Sequence, residues 1–185
     1  MLHTLIPRNR QGSHRAVVFR ALPVQEFDTF DAAAFSVITN LVTPFWLLMI
    51  LAPNWSVTEK TMKSPAPIVL CALVQLACVV SGLTSSPLPE VVDRLQFFFT
   101  EAVIKLSAMS QMRTLDSFVS EEWAHVLVWD LFAGRAVYLE GREKNVPVKH
   151  SLALCFALGP VGILTHYATC AVWPKVFPST DTTES

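Results

Sequence analysis

Long runs without a formal charge dominate the chain. Residues 32–58, 64–89 and 151–174 contain no Asp, Glu, Lys or Arg. Crossing the hydrocarbon core of a bilayer takes about 20 predominantly apolar residues, and each run is long enough. A buried core helix passes the same test, but a soluble chain of 185 residues would hardly bury three of them. The pattern predicts spans near 33–51, 67–83 and 152–173. Pro53 and Asn54 close the first, and Pro87 and Pro89 break the chain after the second. Pro160 should kink the last unless neighbours satisfy the freed carbonyl.

Residues 123–139 form a further candidate, with Asp130 and Arg135 as the only formal charges. Each such residue costs roughly 2.5–3.5 kcal/mol at mid-helix. The segment would insert poorly alone and suits the inner position of a bundle. Residues 90–117 are mixed. Val92, Leu95, Phe98 and Phe99, continued by Ala102, Val103 and Leu106, form an apolar stripe among charged positions. An amphipathic helix lying in the membrane interface fits this stripe, with a soluble loop helix as the plainer alternative. The expected architecture is all-α: four transmembrane helices within 30–174, and an interfacial helix between the second and third. Both termini then lie on one side, with a basic segment 1–29 before the bundle and a polar tail 175–185 after it.

Composition agrees. Mean hydropathy is +0.43 and 16% of residues are charged, where a soluble domain carries about 25%. A net charge of −1 creates no field that would draw nucleic acid, and the charge-free runs make membrane lipid the expected surrounding. Residues 1–25 hold Arg8, Arg10, Arg15 and Arg20 and no acid, a bias like that of a mitochondrial or plastid transit segment or of a basic tail. Cys71, Cys78, Cys155 and Cys170 all fall inside expected spans without CxxC or Cys/His ligand spacing, which favours a packing role over disulfides or metal.

The polar residues of the spans recur at helical spacing: Ser36, Asn40 and Thr43; Cys71, Gln75 and Cys78; Gly159, Gly162, His166 and Thr169. Burying these faces against one another is the simplest solution, and ionisable residues inside a membrane usually face a bundle interior. Along the inner helix, Glu122, His125 and Trp129 share one face. Asp130 and Arg135 lie roughly 140° apart and cannot pair within the helix. Each is expected to find a partner such as Asn40, Thr43, Gln75 or His166. Plainer roles stand beside these: helix-packing glue for Asp130, snorkelling for Arg135, helix-entry capping for Glu122 and His125, a carbonyl contact for His166. Glu122-x-x-His125 is half of a carboxylate di-iron pattern, but its second copy is missing, and the histidine boxes of membrane hydroxylases are absent. Neither metal nor redox cofactor is expected. P-loop, dinucleotide-binding and nucleophile-elbow motifs are absent too.

The motif set as a whole resembles one family. It comprises Trp123-x-His125, 130–135 (DLFAGR), 138–141 (YLEG), Lys149-His150-Ser151, Leu154-Cys155, 159–162 (GPVG) with His166, and Phe35-Ser36 with Asn40 and 44–53 (PFWLLMILAP). These residues resemble the neoxanthin synthase family, also called the abscisic-acid-deficient-four family, over about 30–173. The resemblance implies a four-span plastid-membrane protein that takes part in forming neoxanthin from violaxanthin. That conversion is a redox-neutral isomerisation, needing an acid for the epoxide oxygen, a base for the adjacent polyene proton, and no cofactor. A carboxyl group taken out of water holds its proton more tightly and can serve as the acid. Asp130 fits that role, with His125 or Glu122 as base. Arg135, His166, Asn40 and Tyr138 are then placed to hold ring oxygens, and Trp46, Trp129 and Phe132 to line the polyene. The alternative is a non-catalytic scaffold or carotenoid-binding subunit that assists another enzyme of the pathway.

Overall fold

The computed structural model describes residues 30–177. The basic N-terminal segment and most of the C-terminal tail lie outside the described residues. Regular structure among the described residues is entirely helical: α1 (Phe30–Leu51), α2 (Ser56–Lys63), α3 (Ala66–Thr84), α4 (Leu88–Phe97), a π-helical turn (Phe98–Ala102), α5 (Leu106–Met112), α6 (Asp116–Glu143), α7 (Lys149–Leu158) and α8 (Pro160–Val176). Of these, α1 and α3 are long and apolar enough to cross a membrane.

As the sequence leads one to expect, α6 is the inner helix. It packs against α1, α2, α3, α7 and α8. Small residues let it do so: Ser120, Ala124, Gly134 and Gly141 are all buried along its length. At Gly134 the Trp46 indole from α1 lies where a side chain would start, since a Cβ there would come within 2.3 Å of the ring. α1 contributes Ala34, Ile38, Val42, Trp46 and Met49, a stripe of three- and four-residue steps.

The last span departs from expectation. In place of one kinked helix over 152–173, the chain breaks at Gly159, whose φ of 53° favours glycine, and Pro160 opens a new helix. α8 then folds back along α7. Gly162 lies against the α7 backbone, with its Cβ position 2.3 Å from the Cys155 nitrogen and 2.5 Å from the Ser151 oxygen. Nearer the open end, His150 Nε2 and Thr169 Oγ1 are 2.7 Å apart. The pair is a helical hairpin with Gly159 at its tip. The end of α8 therefore lies beside the end of α1: Trp173 borders the same surface pocket as Pro53 and Asn54. The start of α1 is at the other end, where Ser120 donates to Asp31 Oδ1 at 3.2 Å. Residues 30 and 177 thus occupy opposite ends of the bundle, while the chain ends, expected to share one side, lie outside the described residues.

The polar face expected of the first span also differs. Ser36, Asn40 and Thr43 are exposed. Asn40 Nδ2 donates to the Ser36 carbonyl and Thr43 Oγ1 to the Thr39 carbonyl, both at 2.7 Å. Polar groups satisfied by their own helix need no burial, so the apolar stripe wins the interior. On α3 the expectation holds better: Cys71 and Cys78 are buried. Leu73, Leu76, Val80 and Leu83 point outward. The interfacial helix is in fact three short pieces, α4, the π turn and α5. They form a small core of their own around Ala102, Ala108 and Met112, and leave Val92, Phe99, Val103 and Leu106 exposed. Part of the stripe turns inward: Leu95 and Phe98 line a cleft against α6, and the Phe98 ring lies 6.0 Å from Phe118.

Candidate functional site

Glu122 and His125 sit one turn apart near the start of α6. Both line a cleft of about 390 Å³ that α6 shares with the end of α3, with α4, with the π turn and with α5. The cleft is lined mainly by apolar side chains, among them Val79, Leu95 and Phe118, with Arg94 and Glu121 as further polar members. The π turn sets Phe98 between two neighbours, its ring 5.1 Å from Phe99 and 6.0 Å from Phe118. Glu122 precedes the apolar run 123–139. Burial and the neighbouring Glu121 push its carboxyl up from the usual carboxylate range, with His125 opposing.

Asp130 is elsewhere. Its Oδ1 lies 2.8 Å from the Cβ position of Gly159, so the carboxyl group meets the tip of the hairpin halfway along α6. It has no hydrogen bond or ion pair among the described residues. Five residues separate it from His125, which is about 140° of helix rotation and 7.5 Å of rise. The expected acid and the expected bases therefore occupy two centres.

Several of the residues expected to hold ligand make contacts within the fold. Arg135 Nε donates to the Met62 carbonyl at 2.6 Å and Nη2 to the Lys63 carbonyl at 3.3 Å. The guanidinium thus closes the C-terminus of α2, where unpaired carbonyls and the helix dipole favour a cation. None of the partners expected for Arg135 meets it, because α2, a helix not foreseen in the sequence, is nearer. Tyr138 is fully buried and donates to the Pro53 carbonyl at 2.8 Å. Trp46 is core, packed on Gly134 and edge-to-face with Phe156 at 5.6 Å. Trp129, 60% exposed, and Phe132 face outward with ring centroids 5.7 Å apart, and Trp129 lies 6.4 Å from the His125 ring. A tie absent from the sequence reading joins α6 to α1: Trp123 Nε1 donates to Thr39 Oγ1 at 2.8 Å, and its ring stacks on Phe35 at 5.3 Å.

Replacing Tyr138 by phenylalanine should cost about 1–3 kcal/mol, because the Pro53 carbonyl is left buried without its donor. Thermal unfolding in detergent reads this directly, and an unchanged midpoint would mean that the bond carries no weight.

His166 is 1% exposed. Its Nε2 lies 3.3 Å from Glu140 Oε2 and 3.5 Å from Cys170 Sγ. His166 Nδ1 and Ser151 Oγ are buried without a hydrogen bond. Glu140 follows the apolar run, and its carboxyl is held below the usual range, first by the Lys144 ammonium bonded to it and less by His166. On the exposed surface of α2, Glu59 is likewise lowered, chiefly by Lys63.

An inner helix bearing several ionisable groups, packed against α1 and α3 with their outward apolar side chains, places the chain among all-helical bundle proteins. Its sequence narrows the class: the family described as ABA DEFICIENT 4-like matches residues 33–166, and the chain belongs to that family. It is 33% identical over 143 residues to the protein ABA DEFICIENT 4, chloroplastic, of Arabidopsis thaliana, a match covering 76% of this chain and 62% of that protein. The chain thus aligns with less than two thirds of its relative's length. No solved structure matches it.

Proposed function

We propose that the protein works in a plastid membrane in xanthophyll biosynthesis, and that it isomerises violaxanthin to the allenic xanthophyll neoxanthin. Membership of the ABA DEFICIENT 4-like family and a chloroplastic relative support the pathway and the place. The observation that carries the chemistry is the Glu122–His125 pair on the wall of an apolar cleft. Acid and base must reach atoms of the same epoxide ring, so they belong to one centre. Residues three apart on a helix are neighbours, whereas Asp130 faces elsewhere.

In this mechanism Glu122, protonated, gives its proton to the epoxide oxygen. The C–O bond on the polyene side opens, and the oxygen stays on the far carbon as a tertiary hydroxyl. His125 removes the proton from the adjacent polyene carbon, and that electron pair completes the allene. His125 then returns its proton to Glu122. Atoms and electrons balance with no oxidant or reductant. Arg94 and the aromatic cluster around Phe98 orient the end ring and exclude water. Incubating the purified protein with violaxanthin in liposomes should yield the allenic product; no product in any lipid would reject catalysis by this chain. The largely apolar lining of the cleft favours a second reading, a carotenoid-binding subunit for another enzyme. Bound pigment without turnover would select it.

The same proposal sets the membrane geometry. α1, α3 and α6 cross, since 22 and 19 residues of α1 and α3 give about 33 and 28 Å of helix against a core of about 30 Å. α7 and α8 enter and return as a re-entrant hairpin, with Gly159 at its tip buried against Asp130 of α6. Cysteines introduced for Lys60 and Lys175 should therefore react with an impermeant reagent from one face, and one introduced for Arg113 from the other. Labelling of the Lys175 position together with the Arg113 position would restore a fourth crossing.

A further inference from the structure

The geometry points to a divalent transition-metal site, best suited to zinc, formed by Glu140 of α6 and by His166 and Cys170 of α8. One carboxylate oxygen, one imidazole nitrogen and one sulfur all lie within 4.8 Å of one another. Zinc binds such atoms at about 2.0–2.3 Å in a tetrahedron, whose edges are then about 3.3 Å between nitrogen and oxygen and about 3.5 Å between nitrogen and sulfur. The separations from His166 Nε2 are 3.3 Å to Glu140 Oε2 and 3.5 Å to Cys170 Sγ. Two edges of the tetrahedron are already set.

Hydrogen bonding alone explains this less well. A neutral imidazole nitrogen has either one proton or one lone pair, yet two partners converge on Nε2. A cation on the lone pair accounts for both neighbours at once. His166 and Cys170 are four apart and so share one face of α8, while the hairpin carries that face onto α6. Lys144 is the opposing charge. It bonds Glu140 through Oε1, which leaves Oε2 turned to His166, and its exposed ammonium can swing to solvent. The fourth position falls to water or an added ligand.

The site is distant from the cleft. Eighteen residues of α6 separate Glu122 from Glu140, about 27 Å of helix. Its role is to staple the returning half of the hairpin to the inner helix, independent of any isomerisation.

The test uses the full chain purified in detergent, stripped with a chelator and titrated with Co²⁺ and then Zn²⁺. One equivalent should bind, with a sulfur-to-cobalt charge-transfer band that Zn²⁺ displaces. Cys170→Ala should remove that band while the helical circular dichroism is kept, and Glu140→Gln should weaken binding at least tenfold. These two positions are partly exposed, so they probe the site without emptying the core as a change at His166 would. A band that survives in Cys170→Ala, or no binding above the level of the two variants, overturns the assignment.

Discussion

Replacing His125 by alanine is expected to slow violaxanthin isomerisation by about 10²–10⁴-fold, the range that a positioned acid or base contributes. Glu122→Gln should fall in the same range, since an amide keeps the shape but has no proton to give. Both side chains are only partly buried and line the cleft, so the fold should survive the changes. Product formed per minute in liposomes, measured beside circular dichroism, reads both points. Asp130→Asn is the control that carries information. With the acid at Glu122, this variant should retain activity within a few-fold. If it is dead while His125→Ala turns over normally, the reacting centre is at the hairpin tip and the cleft is only a pigment seat.

The second large effect concerns stability. Gly162→Val should unfold the hairpin or lower the unfolding midpoint sharply, with a cost of about 3 kcal/mol or more. Overpacking usually costs about 1–3 kcal/mol because side chains can shift. Here two of the nearest atoms are backbone, the Cys155 nitrogen and the Ser151 oxygen, fixed within α7. The only relief is to separate α8 from α7, which uncovers Cys155 and removes the cover from Asp130. Unfolding in detergent should show the loss, and proteolysis should appear near Gly159. Gly82 is the matched control: a side chain there meets nothing within 4 Å. Equal midpoints for Gly162→Val and Gly82→Val would mean that the close approach is not real.

The sequence was most legible where one pattern sufficed. The long apolar helices α1 and α3 and the inner place of α6 could be read from apolar runs and residue spacing. It failed where a local rule competed with another. Asn40 and Thr43 have the spacing of a buried polar face, but each can bond to its own helix, and that option leaves no mark in the pattern. His166 and Cys170 have the i, i+4 spacing of one helix face, but that spacing carries no sign of the α6 carboxylate that meets them.

By itself, then, the sequence determined an all-helical chain, an apolar exterior and a set of ionisable residues on one inner helix. These depend on composition and on the 3.6-residue period, which are local. Tertiary structure alone decided that Gly159 turns the last span into a hairpin and that Arg135 belongs to α2. It likewise brought Glu140 within reach of His166. Each depends on a distance between helices remote in sequence, and such distances are set by how small residues such as Gly134 and Gly162 let backbones approach.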